Sequence, residues 1–256
     1  AVANEQAPGG VEVHDPVIRV LAEPAAAPPV ELHRPEPRES LPTRLDAAAV
    51  ALRHPAVRER FRVSSRAVSA FRRTLESLGF VEVQTPKIVA AATEGGANLF
   101  RVDYFGRNAF LAQSPQFYKQ TMVGVFERVF EVGPVFRAEP HDTSRHLATY
   151  TSLDAELGFI TDHRDVMAVL ADVVRAMTTA VSPFGFPGVL VPATLPVVHF
   201  ADALRMVGAD PDEPDLAPEH ERALGEWART EHGSDFVFVE GYPMAKRPFY
   251  THPQPS

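Results

Sequence analysis

Apolar and polar positions alternate with a period of two on either side of one polar loop. Val135, Arg137 and Glu139 alternate with Phe136 and Ala138. Further on, Leu153, Ala155, Leu157 and Phe159 fall on one face, and Ser152, Asp154, Glu156 and Gly158 on the other. This alternation predicts two half-buried strands. The loop between them, Pro140 to Leu147, holds His141, Asp142, Arg145 and His146 and almost nothing apolar. If the strands pair, Arg137 and Glu139 share a face with Asp154 and Glu156. One cation, three carboxylates and a basic loop then surround one cavity. That composition suits a ligand with an anionic and a cationic end, such as an amino acid plus a nucleotide.

The remaining elements follow from the same patterns. Val57, Phe61, Val68, Phe71, Leu75 and Leu78 recur at helical spacing and predict a helix over 55–78, stopped by Gly79. A strand over 80–84 is ended by Pro86. A short apolar strand over 109–112 runs into a helix with Ser114 as its N-cap and Pro115 in its first position, which places Gln116 and Lys119 on one face. The first strand of the central pair extends over 128–139 with a bend at Gly133-Pro134. An amphipathic helix over 162–181 carries Val166, Val169, Val173 and Met177 on one side. Beyond a Pro/Gly-rich connector lie a short helix within 197–208, a helix over 218–231 closed by Gly233, and an apolar strand over 236–239. Residues 1–40 are rich in Pro, Ala and Glu, with β-like runs only at 11–13 and 17–20.

Composition narrows the function classes. The 256 residues are 45% hydrophobic, enough to build a core. The net charge of −8 excludes a generally basic nucleic-acid coat, so a nucleic-acid partner must meet a local basic patch. The absence of cysteine removes disulfides, thiolate metal sites and thiol nucleophiles, and fits a cytoplasmic protein. No run of about 18 apolar residues marks a membrane span, and no secretory signal precedes the first element.

The stretch FRAEPHDTSRHLATYTSLDAELGFI, Phe136 to Ile160, resembles motif 2 of class II aminoacyl-tRNA synthetases, in the form found in aspartyl-tRNA synthetases of the archaeal and eukaryotic type. GFVEVQTP, Gly79 to Pro86, resembles motif 1, which builds the dimer interface in that family. GYPMAKRPFY, Gly241 to Tyr250, resembles a strand and turn of the same enzymes. The resemblance implies an α+β fold, an antiparallel sheet flanked by helices. It implies that 41–256 form the N-terminal portion of the catalytic domain and that 1–40 are the end of an OB-type anticodon-binding barrel with its linker.

The resemblance also implies roles for single residues. Arg137 is the catalytic arginine that holds the ATP α-phosphate and the substrate carboxylate, and Glu139 lies near the adenine. Arg145, His146 and Leu147 belong to the loop over ATP that meets the tRNA acceptor end. Glu94 sits in the flipping loop ATEGGANLF and contacts the substrate α-amino group. Ser114, Gln116 and Lys119 line the aspartate pocket, with Lys119 selecting the side chain by charge; Asp154 receives the α-ammonium. The implied partners are ATP, L-aspartate, tRNA and a second copy of the chain. HLAT stands where the family commonly has HLNE, so Ala148 and Thr149 replace an amide and an acid.

Two segments of the resembled enzymes do not occur in these residues: an acidic "RG.E..SGGQR" run and the Gly-rich motif 3. The Mg²⁺ ligands are therefore expected in a C-terminal part beyond the sequence, and none is identifiable within it. The expected function is aspartate–tRNA ligase. A truncated, non-catalytic paralog that binds tRNA or an amino acid, and an amide-forming small-molecule ligase on the same fold, remain open as alternatives.

Overall fold

Two units divide the chain, Ala1–Arg58 and Glu59–Ser256, and the computed structural model describes residues 1–7, 9–22, 26–93, 98–140, 146–184, 188–248 and 250–253 of them. In the first unit, β1 (Val2–Ala3) pairs antiparallel with β2 (Val11–Glu12). The β-like run at 17–20 forms no strand. Val17, Ile18 and Val20 are all strongly exposed, and alternation alone gives such a run no face to bury. Helix α1 (Leu41–Asp46) starts at Ser40, whose hydroxyl accepts from Thr43 N, and α2 (Ala48–Ala51) follows. His54 is fully buried and its Nδ1 accepts from Ala56 N, capping the next helix.

That helix, α3 (Pro55–Ser77), contains the boundary between the units. Its core stripe, Ala70, Phe71 and Leu75, occupies the C-terminal half. Phe61, expected inside, is 62% exposed because the core packs only against the later turns. Gly79 takes the left-handed conformation (φ +82°) that ends the helix without steric cost.

The second unit continues with β3 (Val81–Glu82), β4 (Ile88–Val89), β5 (Arg101–Tyr104), β6 (Arg107–Leu111), α4 (Gln116–Phe126), β7 (Arg128–Phe136) and β8 (Thr149–Leu157). After these come α5 (His163–Val181), β9 (Val197–His199), α6 (Phe200–Val207), α7 (Pro218–His232) and β10 (Phe238–Glu240). Strands β3-β7-β8 form one sheet and β4-β6-β5 another. The architecture is α+β, as expected, with two refinements: β3 joins β7 in parallel and β9 joins β10 in parallel, whereas β7 and β8 form the expected antiparallel pair.

The ladder from Arg128↔Leu157 to Phe136↔Thr149 runs through Gly133↔Ser152 and Pro134↔Thr151, so the expected bend does not interrupt pairing. Pro134 is tolerated because it lies past the short β3, on the side of β7 where no sheet bond needs its missing N–H. β8 ends at Leu157. Phe159 is therefore not on the strand's apolar face. It has φ +58° and is 89% exposed, while Gly158 N closes the hairpin onto Glu127 O.

One face of the hairpin is apolar. Phe130, Val132, Leu153 and Leu157 pack with Phe71, Leu75, Phe80, Val169, Val173 and Met177, which places α3 and α5 on this side. The stretch His163–Phe184 has the length and mean hydropathy (1.3) of a membrane span, contrary to expectation. An Asp172–Arg175 ion pair interrupts it, and of its side chains Val173 is buried against the sheet. A smaller core joins β9, β10, α6 and α7 through Val198, Ala203, Leu224 and Val239. The other face of the hairpin is polar and carries the candidate site.

Candidate active site

The antiparallel register fixes this polar face. Residues directly opposite share a side of the sheet, so Glu131 stands beside Asp154, Val129 beside Glu156, and Gly133 beside Ser152. A bond from Arg137 N to Ala148 O (3.0 Å) extends the ladder by one pair, so Arg137 falls on the same side as Asp154 and Glu156, as the alternation predicts. Glu139 does not join them on the strand. β7 stops at Phe136, and Glu139 N turns back to Arg137 O at 2.8 Å. Six residues separate Arg137 from the position opposite Asp154, roughly 20 Å of hairpin.

Helix α4 supplies the cation. It begins at Gln116, one residue later than expected, yet Ser114 Oγ still accepts from Gln116 N (3.2 Å). One turn on, Lys119 is 4% exposed. Its ammonium lies 3.0 Å from Asp154 Oδ1 and 3.2 Å from Glu156 Oε2, and donates to Ala155 O at 3.4 Å. Ser152 Oγ hydrogen-bonds the other Asp154 oxygen. Two acids against one ammonium leave the cluster one negative charge in excess, which favours a cationic ligand group.

The structure thus changes the expectation for Lys119. The sequence reading has it waiting for a substrate carboxylate, whereas here it is already partnered by Asp154 and Glu156. A buried ammonium costs several kcal/mol unless paired, and these two acids are the groups in reach. The alternation puts Glu156 on the cavity face, but gives it no role of its own. Its signal was present, since it sits two positions from Asp154 and therefore on the same face.

The other expected residues divide into three groups. Gln113 (1% exposed) and Ser114 (7%) lie beside the N-terminus of α4, and Thr93 Oγ1 accepts from both of their backbone N–H groups, at 3.2 and 3.4 Å. Arg137, Glu139 and Gln116 are half-buried. His146 and Leu147 are exposed. Glu94 and Arg145 lie outside the described residues; beside the first, Thr93 is held as above and Asn98 O accepts from Ala138 N at 3.0 Å. Arg247 stacks over Tyr242 (4.9 Å) and reaches Asp215 at 3.4 Å, a structural role. Burial, and then the nearby Asp215, raise the Tyr242 hydroxyl above its ordinary range.

An acid-rich hairpin face with a buried lysine on one side and an arginine toward its far end is the candidate site. Comparison with known proteins shows the family. Residues 40–256 match the family model described as tRNA synthetases class II (D, K and N), and the chain belongs to that family. It is 48% identical to the aspartate–tRNA(Asp/Asn) ligase of Deinococcus radiodurans over 98% of this chain and 61% of that protein, and 45% identical to the enzyme of that name from Thermus thermophilus over 99% and 63%. The human cytoplasmic aspartate–tRNA ligase is 40% identical over 83% of this chain and 46% of its own length. Among solved structures, asparaginyl-tRNA synthetase from Pyrococcus horikoshii complexed with asparaginyl-adenylate superposes with a TM-score of 0.80 at 29% identity, covering 99% of this chain and 60% of that one. Aspartyl-tRNA synthetase from Entamoeba histolytica gives 0.69 at 29%, covering 85% and 44%. The chain spans about three fifths of the length of the two bacterial relatives.

Proposed function

We propose that this chain carries the amino-acid and nucleotide site of an aspartate–tRNA ligase. L-Aspartate attacks the α-phosphate of ATP through its α-carboxylate, pyrophosphate leaves, and the tRNA 3′ end then takes the aspartyl group from the adenylate. Such chemistry needs alignment and charge stabilisation rather than a side-chain nucleophile. Arg137 suits it, because a planar guanidinium binds carboxylate and phosphate oxygens in pairs. Asp154, with Glu94 from its loop, holds the α-ammonium. Ser114, Gln116 and Lys119 form the side-chain end, while Glu139, Arg145, His146 and Leu147 serve ATP and the tRNA acceptor end.

The observation that carries the substrate is the 48% and 45% identity, over nearly the whole chain, to relatives named aspartate–tRNA(Asp/Asn) ligase, with a buried lysine, Lys119, at the position that the resemblance assigns to the side-chain pocket. An ammonium has three donors and no acceptor; with Asp154, Glu156 and Ala155 O already within its reach, Lys119 meets a substrate carboxylate by exchanging one of these partners. Aspartate adds a further negative charge to a cluster already in excess, so the proposal calls for a second cation at that end. The resemblance assigns it to an arginine beyond these 256 residues. Mg²⁺ is assigned the same way: among the described residues no three metal-ligating side chains gather, and no step above passes through the ion. The reading also takes residues 1–40 as the end of an anticodon-binding barrel, residues 79–86 as the contact to a second copy, and the cytoplasm as the location.

Calorimetric titration of L-aspartate and L-asparagine into the product of the whole reading frame tests the substrate assignment. The expected result is aspartate binding at least about tenfold tighter, a difference of about 1.4 kcal/mol, and lost in Lys119→Met. Equal binding of the two amino acids would remove it.

A further inference from the structure

Glu131 is buried in the same polar face, 1% exposed, and both of its oxygens are engaged. Oε1 accepts from Thr85 N (3.0 Å) and pairs with Lys87 Nζ (2.9 Å); Oε2 accepts from Thr85 Oγ1 (2.7 Å). Lys87 Nζ also donates to Thr85 Oγ1 at 3.1 Å, which closes the triad. Lys87 lies over Gly133, where a Cβ would stand 3.4 Å from both Lys87 Cε and Glu131 Oε1, ordinary contact distance.

The triad sits where the chain passes between the two sheets. Val83 N bonds Phe130 O (2.8 Å) in the hairpin sheet, and Lys87 O accepts from Ala112 N (3.0 Å) in the other. Ala112 O in turn accepts from Phe136 N, and Ala112 leads directly into Gln113, Ser114 and α4 with Lys119. Glu131 therefore fastens the crossing that places the lysine-bearing helix on the hairpin. It is also the cross-strand neighbour of Asp154. Two carboxylates abreast repel unless each is neutralised. Here each has its own lysine from a separate element, Lys87 for Glu131 and Lys119 for Asp154.

We infer that Glu131, clamped by Thr85 and Lys87, is a positioning residue for the amino-acid site. It registers the second sheet and α4 against the hairpin, and its pairing with Lys87 leaves Asp154 and Glu156 to set the charge that meets the ligand. The part concerning the ligand rests on the function proposed above; the clamp itself does not.

Three variants of the whole reading-frame product separate these claims: Glu131→Gln, Lys87→Met and the two combined. The first readout is hydrogen–deuterium exchange over residues 109–120, with 200–207 in the separate small core as internal control. In either single variant, where one buried charge loses its partner, exchange over 109–120 rises about tenfold or more while the control is unchanged. In the double variant, which carries neither charge, protection returns toward wild type. The second readout is L-aspartate affinity, which falls about tenfold in Glu131→Gln and recovers in the double variant. Wild-type exchange over 109–120 in Glu131→Gln, or a double variant worse than both singles, overturns the inference. If a single variant does not fold, the double variant still decides, because recovered folding and protection require the two charges to act on each other. Absence of aspartate binding by the unaltered protein removes the proposed substrate, and the exchange result still stands or falls alone.

Discussion

Lys119 Nζ and Asp154 Oδ1 are 3.0 Å apart across the junction of α4 and β8, and Glu156 completes the cluster at 3.2 Å. With Lys119 nearly inaccessible, the pairing binds helix to hairpin as well as setting the charge of the site. Lys119→Met leaves two carboxylates side by side on one strand face. It is expected to cost about 3 kcal/mol of stability, toward the low end for a broken buried pair because both acids are partly exposed. Adding Glu156→Gln should return part of that loss. Urea denaturation of the three proteins measures it, and strictly additive losses would contradict the coupling.

A second prediction concerns acid stability. His163 hydrogen-bonds Glu240 at 2.8 Å, and with Arg164 at 3.3 Å it holds the Glu240 carboxyl below its ordinary range. A carboxylate with a depressed folded-state pKa contributes stability that is complete above its unfolded value, about 4.3. The contribution is lost as pH falls through the lower folded value. The melting temperature of Glu240→Gln should therefore lie below wild type at pH 7, with the gap closing toward pH 3. A gap that is constant or widens in acid would contradict the assigned pairing.

Gly241 gives a third. Its φ is +76°, and a Cβ there would stand 2.2 Å from His199 Nε2. The ring has little freedom to retreat, because its Nδ1 accepts from Ala201 N at the start of α6. Gly241→Ala combines a clash with a left-handed backbone that alanine disfavours, and should cost about 2 kcal/mol or more. His199→Ala in the same chain removes the clash and leaves the backbone term, so the double variant should recover only in part. Denaturant midpoints measure both.

A fourth tests the main core. Phe130 is fully buried and meets Phe71 edge-on, with ring centroids 5.8 Å apart. Phe130→Ala should destabilise the second unit by about 3–5 kcal/mol, whereas Phe61→Ala, on an exposed part of α3, should change stability by less than about 0.5 kcal/mol. A comparable loss at Phe61 would show that this part of α3 is covered in solution.

Much of this was legible in the sequence, for physical reasons. A period of two is unambiguous when one face is buried, so the hairpin and the shared side of Arg137, Asp154 and Glu156 could be read directly. Helix ends were legible where glycine marks them, as at Gly79 and Gly233. Strand ends were not, because they depend on a partner's length: Glu139 and Phe159 continue the alternation but lie beyond the ladder. Partners distant in sequence were also hidden. Nothing local to Lys119 shows that two acids more than thirty residues away neutralise it, and nothing local to Glu131 shows that Thr85 and Lys87 enclose it. Phe61 looked like core because helical spacing reveals a stripe but not how much of it is covered.

The measurement that tests the central claim most directly is amino-acid-dependent ATP–pyrophosphate exchange by the product of the whole reading frame. The account predicts exchange with L-aspartate, far less with L-asparagine, and a loss of about a hundredfold or more in Lys119→Met. Exchange that is equal with asparagine, or unchanged in Lys119→Met, would contradict it.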